Sequence, residues 1–164
     1  MKTTHKIIFV LFLNFWFSMH LIGQSYETAL GIRFNEPSGI GVTFQYAPFR
    51  EQRISFESIV LSDFNKYSRL SLLAEEHRRF LGKRVNFYYG LGPQYAFNQN
   101  FGNSFGVALA IGFEVTFFGL NASWDYLPVY NLTGGNQKLN HTTGISIRRV
   151  LSKHKKNWKF WEKW

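Results

Sequence analysis

Acidic, basic and imidazole side chains recur at every second position of several segments, opposite rows of large apolar side chains. Residues that repeat with a period of two share one face of a β-strand. A charged face could form a proton or ion path, supply a catalytic carboxylate, or neutralise itself through salt bridges. Because the opposite charges nearly balance, we expect salt bridges. The set comprises Arg33, Glu57, Glu75, His77, Arg84, Glu114, Asp125 and Arg148, with Arg53 and Arg69 as further members.

Sequence signatures of catalysis and metal binding are missing. Glu75 and His77 would face the same way, but no third ligand follows at a spacing typical of a metal site. Gly-x-Ser-x-Gly, His-Glu-x-x-His and P-loop motifs are absent, and so is the His-x-Ser pair of lipid A deacylase barrels. We therefore predict no catalytic residue, no metal and no cofactor.

Two long runs, Val85 to Phe97 and Phe105 to Phe117, indicate the elements that position these charges. In each run large apolar residues alternate with small or polar ones, which is a β-strand pattern. Both runs exceed the usual strand length of about 5 to 6 residues. A soluble barrel would need its large apolar residues inside, whereas here the charges occupy the opposite face. The pattern is therefore typical of a membrane-spanning barrel with an apolar outer wall.

The whole chain predicts an all-β, eight-stranded, antiparallel, up-and-down transmembrane barrel whose narrow lumen is filled by side chains. The outward parity changes at Phe117 and Phe118, which predicts a tight turn or bulge at Gly119. Asn131 to Asn140 is predicted as the longest loop, and Pro93 predicts a bulge because proline removes a ladder donor. The predicted strands are Tyr26–Phe34, Ile40–Tyr46, Gln52–Leu61, Lys66–Arg78, Arg84–Phe97, Phe105–Phe117, Phe118–Tyr126 and Leu139–Val150.

Two terminal segments flank the predicted barrel of residues 24–151. Residues 1–23 are typical of a signal peptide, with lysines before an apolar stretch that is shorter than the about 20 residues of a membrane helix. Residues 152–164 form a basic, aromatic tail that is either an interfacial amphipathic helix or a disordered end. The tail residues predicted to meet the membrane interface are Lys153, Lys155, Lys156, Trp158, Lys159, Trp161 and Trp164.

Composition narrows the class further. Aromatic residues make up 19% of the chain, as expected where aromatic girdles meet both membrane interfaces. The formal net charge of +9 would suit nucleic acid, but a secreted barrel would not encounter it, so nucleic-acid binding is not predicted. The chain has no cysteine, which excludes disulfides and thiolate metal sites.

Three short motifs occur in order along the chain: Tyr88–Gly92, Ile111–Glu114 and Ser123–Pro128. With them the chain resembles the small outer-membrane β-barrel proteins of Bacteroidota, over most of residues 26–150. The resemblance implies periplasmic termini, surrounding outer-membrane lipid and the barrel assembly machinery as a partner, and it brings no catalytic residue. Such chains often end on an aromatic that closes the last strand and serves assembly, whereas this one continues for 13 residues past Leu151.

The resulting hypothesis is a non-enzymatic, integral outer-membrane barrel with both termini in the periplasm and a structural or interaction role. No specific protein partner is predicted. A lipid-acting barrel enzyme is one alternative, and it would need a serine, a histidine and an acid near one rim. A soluble, secreted, lipocalin-like ligand-binding barrel is the other, and it would need an apolar interior.

Overall fold

A computed structural model describes residues 26–36, 39–48, 53–81 and 84–153. The predicted signal peptide and most of the predicted tail lie outside these ranges. Within them no helix has the length and apolarity needed to cross a membrane. The described residues form the strands β1 (Thr28–Glu36), β2 (Gly39–Tyr46), β3 (Ile54–Ser62), β4 (Tyr67–Leu81), β5 (Val85–Asn98), β6 (Ser104–Phe117), β7 (Leu120–Gly134) and β8 (Leu139–Ser152).

The strands form one closed antiparallel barrel in sequence order, which confirms the predicted eight-stranded, up-and-down fold. β1 closes the barrel against β8, with Ile32 opposite Ile147. The start of β1 and the end of β8 therefore meet at one end, here called the termini end. The opposite end, here called the loop end, carries the connections 37–38, 63–66, 99–103 and 135–138.

Side chains alternate between the two faces of the wall, as the period of two requires. On β6, Ala108 and Glu114 are fully buried in the interior, whereas Leu109 is 49% exposed on the outside. Ile59 and Leu61 face inward, as the parity of β3 predicts, so the interior is partly apolar. The buried apolar cluster comprises Ile59, Leu61, Leu73, Tyr88, Ala108, Ala110, Leu127 and Val129.

The change of parity after β6 is explained by a two-residue hairpin, which confirms the tight turn predicted at Gly119. β6 ends at Phe117 and β7 begins at Leu120. Both linking residues have positive φ, 48° at Phe118 and 82° at Gly119. This is the backbone of a type I′ turn, whose twist matches that of the flanking strands.

Two local predictions are wrong. β7 continues to Gly134, so residues 135–138 alone join it to β8, and the connection 47–53 is longer. Pro93 also lies in regular register with β6, where it is opposite Val107. On the β4 side, the residue pairs before and after Pro93 share one register. The β4–β5 ladder omits the two pairs between Ser71–Gln94 and Ala74–Leu91 instead of forming a bulge.

Candidate functional site

Arg33 on β1 and Asp125 on β7 form a buried, two-bond ion pair. Nη1 of Arg33 donates to Oδ2 of Asp125 at 2.8 Å, and Nη2 donates to Oδ1. Arg33 also donates to Asn35 through Nε at 2.6 Å and to Ser146 through Nη1 at 3.0 Å. Gly144 makes room for the guanidinium, since a Cβ there would lie 2.2 Å from Nη2. The pair is thus oriented by neighbours on β1 and β8.

Arg148 on β8 and Glu57 on β3 form a second buried pair across the interior. Nε of Arg148 donates to Thr43 at 3.1 Å. Nη1 donates to Asn121 at 2.8 Å and to Ser123 at 3.0 Å. Every nitrogen of this guanidinium therefore has an acceptor, as a buried charge requires.

His77 on β4 lies between two buried carboxylates. Its Nδ1 is 3.0 Å from Oε1 of Glu114, and its Nε2 is 3.1 Å from Oε2 of Glu75. The ring of Tyr88 stacks on the imidazole with 5.0 Å between ring centroids. A protonated imidazole in this position can donate to both acids at once.

Neutral side chains complete the hydrogen bonding of Glu114. Asn86 donates to its Oε1 at 2.7 Å. Asn121 and Tyr26 each donate to its Oε2 at 2.9 Å. Glu114 is therefore held by neighbours on β5 and β7 and by a residue that precedes β1. Its ionisable partner is His77 rather than one of the interior arginines.

These groups form one connected set, here called the interior network. Tyr88 joins its parts, because its hydroxyl donates to Asp125 at 2.7 Å while its ring stacks on His77. Asn121 bonds both Arg148 and Glu114. The charged members are each 2% exposed or less: Arg33, Glu57, Glu75, His77, Glu114, Asp125 and Arg148.

The structure brings together the predicted lumen residues except Arg84 and the two further members, Arg53 and Arg69. Arg84 is exposed at the connection before β5, where its guanidinium lies 4.6 Å from the centre of the Phe117 ring. Its assignment to the lumen is wrong, because it lies past the end of the strand, where the period of two no longer decides direction. Arg53 is half-buried just before β3.

Sequence reasoning missed the neutral members of the network. Thr43, Gln45, Asn86 and Asn121 are buried and point inward. All four have the inward parity of their strands, so the same period of two was the signal that could have found them. The predicted set contains only ionisable residues, although buried charges need neutral donors and acceptors as well.

Arg69 on β4 faces the interior near the loop end but makes no salt bridge among the described residues. Its Nη1 donates to Thr142 over 3.4 Å, and its Nε and Nη2 have no partner in that part of the chain. Arg69 borders an open cavity of about 400 Å³, here called the loop-end vestibule. The vestibule is lined by Asp63, Tyr67, Arg69, Gln94, Asn98, Phe101, Gly102, Ser104, Gly135, Asn136, Gln137, Asn140, His141 and Thr142.

The outer wall carries a cluster of polar side chains near the termini end. Arg78 donates to Glu76 at 2.9 Å and to the hydroxyl of Tyr89 at 3.0 Å, and Tyr89 donates to Glu76 at 2.5 Å. These charged and hydroxyl groups therefore pair with one another beside the apolar side chains of the outer wall.

Comparison with known proteins adds no family to this description: the chain matches no protein-family model and no curated protein sequence. Among the described residues, no group of three or more acidic, histidine or cysteine side chains is arranged to hold a metal ion. What the interior offers chemically is a set of buried charges that pair with one another, four carboxylates against Arg33, Arg148 and His77. Arg69 stands apart from that set.

Proposed function

We propose that this protein is an integral outer-membrane β-barrel with a structural or interaction role, whose lumen is closed by the interior network and which catalyses no reaction. Outer-membrane lipid then surrounds the outer wall of the barrel. The barrel assembly machinery is the partner expected to insert it. An eight-stranded barrel has an interior just wide enough to be filled by its own side chains, and this suits a structural role.

The observation that carries the proposal is the inversion of polarity across the wall. The exposed large apolar side chains of the eight strands are 37% to 65% exposed on the outside, among them Ile32 on β1, Leu91 on β5 and Ile147 on β8. Soluble proteins rarely expose a continuous apolar surface of this extent. In lipid the same surface is favourable, and a closed barrel leaves no strand edge unpaired.

The interior argues against both alternatives. A lipocalin-like binder would hold its ligand in an apolar lumen, whereas four carboxylates and three arginines are buried in this one. A lipid-acting enzyme would present its acid and histidine to substrate. Here His77 and Glu114 are fully buried and bonded to each other, so the network is suited to filling the barrel rather than to reaction.

An even number of strands places both termini at one end of the barrel, and a short turn at that end supports an orientation with both termini in the periplasm. Arg53, Arg84, Arg149 and Lys153 lie at the termini end. The hairpin of Phe118 and Gly119 is also at that end and is as short as the periplasmic turns of such barrels. The loop end would then face the outside, with connections of only two to five residues.

The test is membrane fractionation combined with gel migration of unheated and boiled samples. We expect the chain in the outer-membrane fraction, resistant to extraction with carbonate, and migrating differently before and after boiling because a folded barrel resists detergent. A soluble periplasmic chain would contradict the proposal. Hydrolysis of phospholipid or lipopolysaccharide by the purified barrel would instead support the enzyme alternative.

A further inference from the structure

Arg69 is a buried cation without an acidic partner in the described part of the chain. Arg33 is paired with Asp125, Arg148 with Glu57, and His77 lies between Glu75 and Glu114. Arg69 is only 2% exposed, yet it has no carboxylate partner among the described residues. A buried guanidinium with unpaired N–H groups is unfavourable unless an acceptor reaches it. The position therefore calls for an anion from outside the chain.

The unpartnered atoms of Arg69 are the ones that recognise oxyanions. Its Nε and Nη2 lie on one edge of the guanidinium and present two parallel N–H groups, which match the two oxygens of a carboxylate or phosphate. Both nitrogens are shielded from solvent. The hydrogen bond from its Nη1 to Thr142 is 3.4 Å long and therefore weak, and the Tyr67 side chain is a further hydrogen-bonding neighbour of the guanidinium. Turning the guanidinium toward the vestibule would therefore disrupt little hydrogen bonding.

The walls of the vestibule suit a polar anion. Gln94 accepts a hydrogen bond from Ser71 through Oε1, so its Nε2 is left to donate beside Arg69. Asp63 is the acidic residue of the lining. Its Oδ1 accepts the backbone N–H groups of Asn65, Lys66 and Tyr67, and hydrogen bonds of this kind lower the pKa of the Asp63 carboxyl. Its charge is thus engaged by its own turn.

We propose that the loop-end vestibule binds a small hydroxylated anion whose carboxylate or phosphate is held by the Nε and Nη2 edge of Arg69. The amides of Asn98, Asn136 and Asn140 in the lining can bond hydroxyl groups, and the Phe101 ring offers an apolar face. A volume of about 400 Å³ suits a molecule the size of a single sugar acid or sugar phosphate. The site does not depend on whether the barrel crosses a membrane.

The experiment is calorimetric titration of the full chain, folded in micelles of a zwitterionic detergent, at constant ionic strength. The probes are glucuronate, glucose 6-phosphate and neutral glucose. We expect saturable binding of at least one anion and no saturable binding of glucose. Binding of glucuronate alone assigns the site to carboxylates, and binding of glucose 6-phosphate alone assigns it to phosphates.

Variants locate the site. Arg69→Gln should weaken anion binding by about tenfold or more, because it removes a charged two-bond contact. Arg84→Gln removes the same charge at the exposed termini end and should bind as the parent does. Arg69→Lys keeps the charge without the two-bond edge and should fall between them. Heat-modifiable migration of each variant checks that it is folded.

Three results would overturn the proposal: no saturable binding of either anion to the parent, equal binding of glucose, or unchanged binding by Arg69→Gln. If neither Arg69→Gln nor Arg69→Lys folds, the proposal is tested instead by the unfolding temperature of the parent protein. Either anion should raise that temperature above its value in sodium chloride of equal ionic strength. Equal unfolding temperatures would reject the site.

Discussion

At the scale of single residues, the stability of the interior depends on the pairing of buried charges within the interior network. Four buried carboxylates face Arg33, Arg148 and His77, whereas the third buried arginine, Arg69, has no carboxylate partner among the described residues. Removing one member leaves its neighbours buried without a partner, which is costlier than replacing a whole pair by apolar side chains. The neutral hydrogen-bonding residues hold the charged ones in place, so their substitution should also lower stability.

Glu114 provides the test of that pairing. Glu114→Gln removes the charge that His77 faces and presents an amide N–H₂ to side chains that already donate. We expect the free energy of unfolding to fall by about 1.5 to 3 kcal/mol, the usual value for hydrogen bonds to a charged group. Urea unfolding in lipid vesicles measures it.

The matched control is Glu76→Gln, which breaks the half-exposed pair with Arg78 on the outer wall. Exposed pairs contribute about 1 kcal/mol or less, so this variant should unfold near the parent midpoint. Equal midpoints for Glu114→Gln and the parent would mean that the interior network does not stabilise the barrel.

At the scale of elements, proline and glycine show how the strands accommodate exceptions. Pro93 on β5 and Pro128 on β7 each lie beside a ladder that omits two pairs while the register continues unchanged. The missing N–H of proline is thus absorbed by a local gap. The hairpin from Phe118 to Gly119 instead changes direction, and its length sets the register of β6 against β7.

Gly119→Ala should destabilise the barrel through the backbone alone. Gly119 has φ of 82°, and a Cβ there would meet no atom within 4 Å. The left-handed conformation costs an alanine about 1 kcal/mol. Gly119→Asn should lose less, because asparagine tolerates that region. Denaturant midpoints in vesicles compare the variants, and equal losses for alanine and asparagine would argue against a backbone cause.

At the scale of the whole molecule, the barrel has an apolar band on its outer surface, a packed interior and two ends that differ from each other. The termini end is basic, and the loop end holds the vestibule. These surfaces meet different surroundings if the wall spans a bilayer, namely lipid, the periplasm and the external medium. Each can therefore be tested separately.

The outer wall is tested by Leu109→Arg. Leu109 points outward near the middle of β6, where an arginine facing lipid should cost about 2 to 4 kcal/mol. We expect a lower folding yield in lipid vesicles. Phe118→Arg introduces the same residue at the 90% exposed turn and should fold well, as should Ala108→Ser in the interior. Equal yields for the three variants would contradict a lipid-facing wall.

The tail from Ser152 is predicted to dock on the inner face of the outer membrane, and all of it beyond Lys153 lies outside the described residues. Deleting Lys153 to Trp164 should leave the barrel folded, since β8 ends at Ser152. A peptide of the tail should gain helicity and shift its tryptophan emission with anionic vesicles, each lysine contributing about 1 kcal/mol. A peptide unchanged by vesicles would indicate a disordered end.

Much of the fold could be read from the sequence, because the period of two assigns each residue to a face without knowledge of its neighbours. That property sufficed for eight strands, for inward Glu57 and His77, and for the turn at Gly119. It failed at strand ends, where Arg84 turned outward and β7 ran on to Gly134.

The tertiary structure alone decided which charges meet. Arg33 and Asp125 are 92 residues apart in sequence, and Arg148 and Glu57 are 91 apart. Knowing which face a residue occupies gives neither its depth in the barrel nor its distance from residues across the lumen. Both depend on the register of all eight strands. For that reason the partner of Glu114 and the isolation of Arg69 emerged only from the closed barrel, whereas the polarity of its wall is already present in the alternation of residues.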